Sequence, residues 1–211
     1  MANLKTSIII TSISAPNAVM KSFAAESIKQ NIDFIVIGDV KTLADFKIAG
    51  CRFYSIDEQE QLNFRLAGLL PKKHYSRKNI GYLLAKNQEI IIETDDDNFP
   101  RAEFWDQRQR NVMAKIVNGK GWINVYKYFS ADYIWPRGFP LEYLSSPLPH
   151  REEKNQNILC PIQQGLADEN PDVDAVYRMT QKLPVNFEKH SPVAIGANSW
   201  CPFNSQNTTW F

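Results

Sequence analysis

The chain has 211 residues (24.2 kDa), of which 44% are apolar and 22% charged, with a formal charge of +1. That length and composition suit one globular domain with a full core, and the near-zero charge excludes a global attraction to nucleic acid or anionic lipid. Cys51, Cys160 and Cys201 are odd in number, far apart and without a CxxC spacing, which excludes a disulfide framework and a cysteine zinc site and points to a reducing, cytoplasmic setting.

The apolar run in "MANLKTSIIITSIS" is too short for a signal peptide and has no small-residue cleavage pattern after it, so it reads as a strand over 6–13. The turn residues "SAPN" precede a helical pattern in which Val19, Met20, Phe23, Ala24 and Ile28 share a face. A second strand over 34–39 ends on Gly-Asp, and a third over 51–56 leads into a helix over 57–70. A further helix over 77–87 feeds the strand "EIIIET" at 89–94. This alternation predicts an α/β fold, Rossmann-like, with a mostly parallel sheet flanked by helices. Ligands in such sheets sit beyond the carboxyl ends of the strands, where Ser12, Asp39 and the cluster Asp95, Asp96, Asp97 all fall.

Beyond Pro100 the spacing predicts a helix over 102–117 and a strand over 122–129. The stretch 130–158 has no clear period, is rich in proline and aromatic residues, and is expected to fold over the strand ends. No eighteen apolar residues run together, so no membrane span is expected. The whole chain, 1–211, reads as a single domain; its end, "NSQNTTWF", has no polar tail and leaves a C-terminal truncation open.

In extended backbone Asp95 and Asp97 share a side while Asp96 points away. Two carboxylates so placed suit Mg²⁺ or Mn²⁺, which takes oxygen ligands and leaves positions for a diphosphate. A solvated acidic turn, with Asp97 or Asn98 capping the next helix, accounts for the same letters. Arg137 lies between two prolines and among aromatic rings in "YIWPRGFPLEY", suited to bidentate phosphate contact or to a cation–π stack that orders a loop. Arg77 and Lys78, at a predicted helix start, are either phosphate contacts or a solvated face. Asp172 and Asp174 in "NPDVDAVYRM" are either helix caps or a general base and a group stabilising positive charge on a sugar ring.

The segments "VIGDVKT", "YSRKNIGYLLAKNQEIIIETDDDN", "YIWPRGFPLEY", "IQQGLADENPDVDAVYRMT" and "CPFNSQNTTWF" resemble, in this order, the STELLO family of glycosyltransferase-like proteins, the DUF288 type. "DDD", "RGFP" and "PDVDA" are more distantly similar to the reversibly glycosylated polypeptides that act as UDP-arabinopyranose mutases. The resemblance implies a GT-A fold, a nucleotide-diphosphate-sugar donor, most readily a UDP-sugar, and an acceptor that is a glycan or another molecule. It also implies a DxD-type Mn²⁺ or Mg²⁺ site with Asp97 as principal ligand, and Asp95 facing ribose or metal beside Asp96. Asp39 and Lys41 in "GDVKT", with Ser12, Arg77 and Lys78, are then expected around the donor, and Arg137, Asp172 and Asp174 at the chemistry. Arg137 corresponds to the arginine that the mutase family links to reversible glycosylation. Three functions follow as expectations: a metal-dependent glycosyltransferase, a self-glycosylating sugar-nucleotide mutase, or a catalytically silent protein that keeps the fold.

Overall fold

The computed structural model describes residues 4–43 and 45–211, in two compact units: the chain up to Gln107 together with Thr209–Phe211, and Arg108–Thr208. The first unit is built on four parallel strands, β1 (Thr6–Ser12), β2 (Asp33–Gly38), β3 (Cys51–Tyr54) and β4 (Ile90–Thr94), in the spatial order β3-β2-β1-β4. Parallel strands covered on both faces read as unbroken apolar runs, and "SIII", "FIVI" and "IIIE" do.

Alternate residues of each strand serve opposite faces. On one face Ile8, Ile10, Phe34, Val36 and Ile92 pack with Val19, Met20, Phe23 and Ala24 of α1 (Ala18–Gln30). Asn17 caps that helix by accepting from Met20 N–H, and Asn31 ends it in the left-handed region at φ 56°. Ile28, expected on the same buried stripe, is instead 59% exposed. On the other face Ile9, Ile35 and Ile37 pack with Ile80 and Ala85, the first of these on α3 (Lys78–Leu84), and with Ala67.

The helix expected over 57–70 is much shorter. A capping box between Ser55 and Glu58 starts α2 (Ile56–Gln61), and Leu62 then turns extended. The apolar residues that follow reach the same core through successive turns, with Leu62, Phe64 and Leu70 packed against it.

The second unit departs further from the expectation. The predicted helix over 102–117 is a 3₁₀ turn (Ala102–Trp105), an extended Asp106, and a strand, β5 (Asn111–Val117). Its partners are β7 (Gln156–Leu159), antiparallel, and β9 (Val193–Ile195), parallel. A short apolar run fits helix and strand alike, and distant partners decided it. The predicted strand over 122–129 shrinks to β6 (Gly121–Trp122), paired with β10 (Ser199–Trp200), and continues as a 3₁₀ turn, Val125–Tyr128. The remaining elements are β8 (Ile162–Gln164), α4 (Ala175–Thr180) and β11 (Asn207–Trp210). The fold is therefore α/β with mixed sheets and few helices; the expected parallel order holds along β1 to β4 and not through β5 and β7. The aperiodic stretch 130–158 is no bare loop, because Ile134, Trp135 and Phe139 join Tyr126, Val173, Tyr177 and Val185 in this unit's core.

Candidate functional site

The ends of β1, β2 and β4 bring Ser12, Asp39 and Asp95 to Asp97 to one edge of the first unit. The Ser12 hydroxyl donates to Asp96 Oδ2, while Asn17 Nδ2 donates to the Asp96 carbonyl at 2.8 Å. The α1 cap residue thus also fixes the backbone in the middle of the acidic triplet. Thr42 Oγ1 donates to the Ser12 carbonyl at 2.8 Å and accepts from Asp39 N–H at 2.9 Å, tying the turn that carries the exposed Lys41 to the β1 end.

The Asp39 carboxylate collects three backbone donors: Val40 N–H at 2.7 Å, Lys73 N–H at 2.9 Å and His74 N–H at 3.0 Å. Burial pushes its pKa up, but those donations outweigh it and hold the acid below the ordinary aspartate value. Asp39 therefore anchors the 72–75 segment from which α3 starts.

Arg77 is only 1% exposed. Its Nε donates to Gln59 Oε1 at 2.7 Å and one terminal nitrogen to the Leu70 carbonyl at 3.2 Å, leaving Nη2 buried without a partner. Gln59, wholly buried, passes the restraint on to the Gly38 and Tyr54 carbonyls, each at 2.8 Å. Lys78 is also turned inward: its Nζ lies 3.3 Å from the Thr94 carbonyl and 3.4 Å from Asp95 Oδ1, with the side chains 5% and 34% exposed. Burial raises the Asp95 pKa, the charges of Asp97 and Asp96 raise it further, and Lys78 opposes all three. Asp97 is exposed, and its Oδ1 accepts from Asn98 Nδ2 at 3.0 Å.

Just behind the triplet, the buried Glu93 carboxylate accepts from the Tyr82 hydroxyl on α3 and from Trp210 Nε1 at 2.9 Å. This clamp ties β4 to α3 and to the chain's last residues; nothing in the local sequence around Glu93 announced it.

Among the described residues, no group of three or more His, Cys, Asp or Glu side chains converges as a metal cage. The oxygen-only donors do fit Mg²⁺ or Mn²⁺ in another way, because such ions commonly take one or two carboxylates and fill their remaining positions with water and substrate phosphate. Asp95 and Asp97 are carboxylates of that kind at the end of β4.

In the second unit, Arg137 and Asp172 are joined twice: Arg137 Nε to Asp172 Oδ1 at 2.7 Å, and Arg137 N–H to the Asp172 carbonyl at 2.9 Å. The guanidinium stays open at 62% exposure while the carboxylate is shielded at 15%. Burial raises the Asp172 pKa, with Arg137, Arg178 and a hydrogen bond from Asn204 opposing. Asp174 is the α4 cap, accepting from Tyr177 N–H at 2.7 Å, and its other oxygen accepts from Trp135 Nε1 at 2.7 Å. The two aspartates of "PDVDA" thus serve different partners, which their spacing alone did not reveal.

Among the described residues no helix is long and apolar enough to cross a membrane. No family model matches the chain. Among curated proteins it is similar to two from Arabidopsis thaliana, "Probable glycosyltransferase STELLO2" at 32% identity and "Probable glycosyltransferase STELLO1" at 30%. Each alignment covers 199 residues and 83% of this chain, which spans about a quarter (26%) of the length of either relative. Over most of its own length the chain is therefore similar to these STELLO proteins.

Proposed function

We propose that the chain is the donor-binding part of a metal-dependent glycosyltransferase of GT-A type, using a nucleotide-diphosphate-sugar, most readily a UDP-sugar. The observation that carries the reading is the acidic triplet at the end of β4, bordered by Ser12 and Lys78, in a chain whose relatives are named probable glycosyltransferases. Asp97 and Asp95 would hold Mn²⁺ or Mg²⁺, and such an ion, when bound, supplies charge neutralisation for the diphosphate leaving group.

The chain's own groups take the other roles. Asp96, locked by Ser12 and Asn17, sets the direction of its neighbours. Ser12, Asp39 and Lys41 border the nucleoside. Arg77, held by Gln59 and the Leu70 carbonyl, fixes the backbone just before Lys78. Arg137 and Asp172 carry a separate assignment: the exposed guanidinium stabilises anionic charge, and Asp172 or Asp174 serves as base or as stabiliser of positive charge on the sugar ring.

A thermal-shift series with nucleotide sugars tests this, since a ligand that binds only the native state raises the melting temperature by mass action. A UDP-sugar should stabilise the protein in Mn²⁺ and far less in EDTA, and Asp97→Ala should erase the difference. An equal shift in both buffers would remove the metal from the proposal. The exposed Arg137 also gives the mutase reading its own test: incubation with donor followed by peptide mass analysis, where a hexose or pentose on Arg137 selects the mutase.

A further inference from the structure

The inward Lys78 is unusual in what it faces. A lysine ammonium is strongly hydrated and rarely buried unless it is paired. Here it sits 3.4 Å from the first carboxylate of a triplet that also accepts from Ser12, Asn17 and Asn98. The Thr94 carbonyl at 3.3 Å also accepts from it, and the neighbouring Arg77, at the start of α3, is anchored on Gln59.

We propose that Lys78 is a resident counter-ion for Asp95, weakening capture of a free divalent cation at the acidic edge so that the metal binds together with a diphosphate. The inference rests on the donor-site reading above and adds its regulation. The physical reason is charge balance. Without ligand, Asp95 is already compensated, and an incoming divalent ion meets a fixed positive charge one carboxylate away. When the ion arrives with a diphosphate, the added negative charge reverses the sign of the Lys78 contribution, and the same ammonium becomes attractive.

The test compares wild type, Lys78→Met and Lys78→Gln for binding of Mn²⁺ alone, followed by electron paramagnetic resonance of the free ion, and of Mn²⁺ with UDP, followed by calorimetry. Met keeps the buried stem without the charge; Gln keeps a donor for the Thr94 carbonyl. The proposal expects free Mn²⁺ to bind the variants at least tenfold more tightly than wild type, and Mn²⁺ with UDP to bind them no more tightly or more weakly. Movement in opposite directions is a signature that a merely structural lysine cannot give, because partial unfolding weakens both. Unchanged or weaker free-Mn²⁺ binding in a folded variant overturns the proposal while wild-type binding of Mn²⁺ with UDP leaves the donor-site reading standing. Should wild type bind neither Mn²⁺ nor Mn²⁺ with UDP, the donor-site reading falls and the counter-ion role with it.

Discussion

Gly81 lies in the middle of α3, where helix propensity alone favours alanine by about 1 kcal/mol. Packing predicts the opposite sign. A Cβ built on Gly81 meets Ile9 Cγ2 at 2.5 Å and Ile37 Cγ1 at 3.3 Å. Both isoleucines are buried on the face of the sheet that α3 covers, and the Ile9 methyl belongs to a β-branched residue with little rotameric freedom. Over-packing a filled core costs roughly 1–3 kcal/mol. After the propensity gain, Gly81→Ala is expected to lose up to about 2 kcal/mol, or up to about 8 °C in melting temperature for a chain of this size. Urea titration followed by far-ultraviolet circular dichroism measures it, with Gly68→Ala as control, since a Cβ there meets nothing within 4 Å. A Gly81→Ala protein more stable than wild type would refute the close seating of α3 on β1 and β2.

Other outcomes follow from the same geometry. Asp39 has a folded-state pKa below its unfolded value of about 3.9, so its stabilisation is present above that pH and is lost as pH falls through the lower folded value. The stability gap between wild type and Asp39→Asn should therefore shrink as the pH falls below about 4 in a pH-resolved denaturation series; a constant gap would contradict it. Asp174→Ala removes an N-cap worth about 1 kcal/mol and strands the Trp135 indole N–H at a further cost of about 1–3 kcal/mol. Asp174→Asn should keep the cap but still lose the indole, so a fully stable Asn variant by urea titration would disprove the second contact. Asp172→Asn should lower turnover about 10²- to 10⁴-fold with little change in donor affinity if Asp172 is the base, and full turnover with any accepted donor would remove it from that role.

The first unit was legible because its strands are continuous apolar runs that alternate along the chain with helical patterns. Asn17, in the expected turn, caps α1, whereas Ser55, expected within the third strand, is the α2 cap in a box with Glu58. The acidic edge followed from the same pattern, because three strands ending together put their next residues together. What stayed hidden was the inward turn of Arg77 and Lys78. From sequence they read as phosphate contacts or a solvated face, and the partners that hold them, Gln59 and Leu70 for Arg77 and Thr94 and Asp95 for Lys78, lie on other segments. The second unit was less legible for a related reason. The β5 residues carry both a helical and a strand period, and their partners at 156–159 and 193–195 lie too far along the chain for local spacing to reveal.

The two acid–base pairs are built in opposite senses. In Lys78–Asp95 the cation is enclosed and the carboxylate is the more open partner, so what that edge offers to a ligand is negative charge held in check from behind. In Arg137–Asp172 the carboxylate is enclosed and the guanidinium is open, so what it offers is a planar array of N–H donors held by one edge. A pair of surface ions would contribute little to stability and would be free to rearrange, whereas a pair with one buried member fixes the exposed one. The formal charge of +1 conceals this division, because the pairs cancel in any sum over the chain. Chemistry that parts a sugar from a diphosphate needs a cation-accepting group and an anion-accepting group within one protein, each held still before the substrate arrives. Under the function proposed above the two pairs would supply one group of each kind, and each pair can be tested by a substitution that removes its enclosed member while leaving the open one in place.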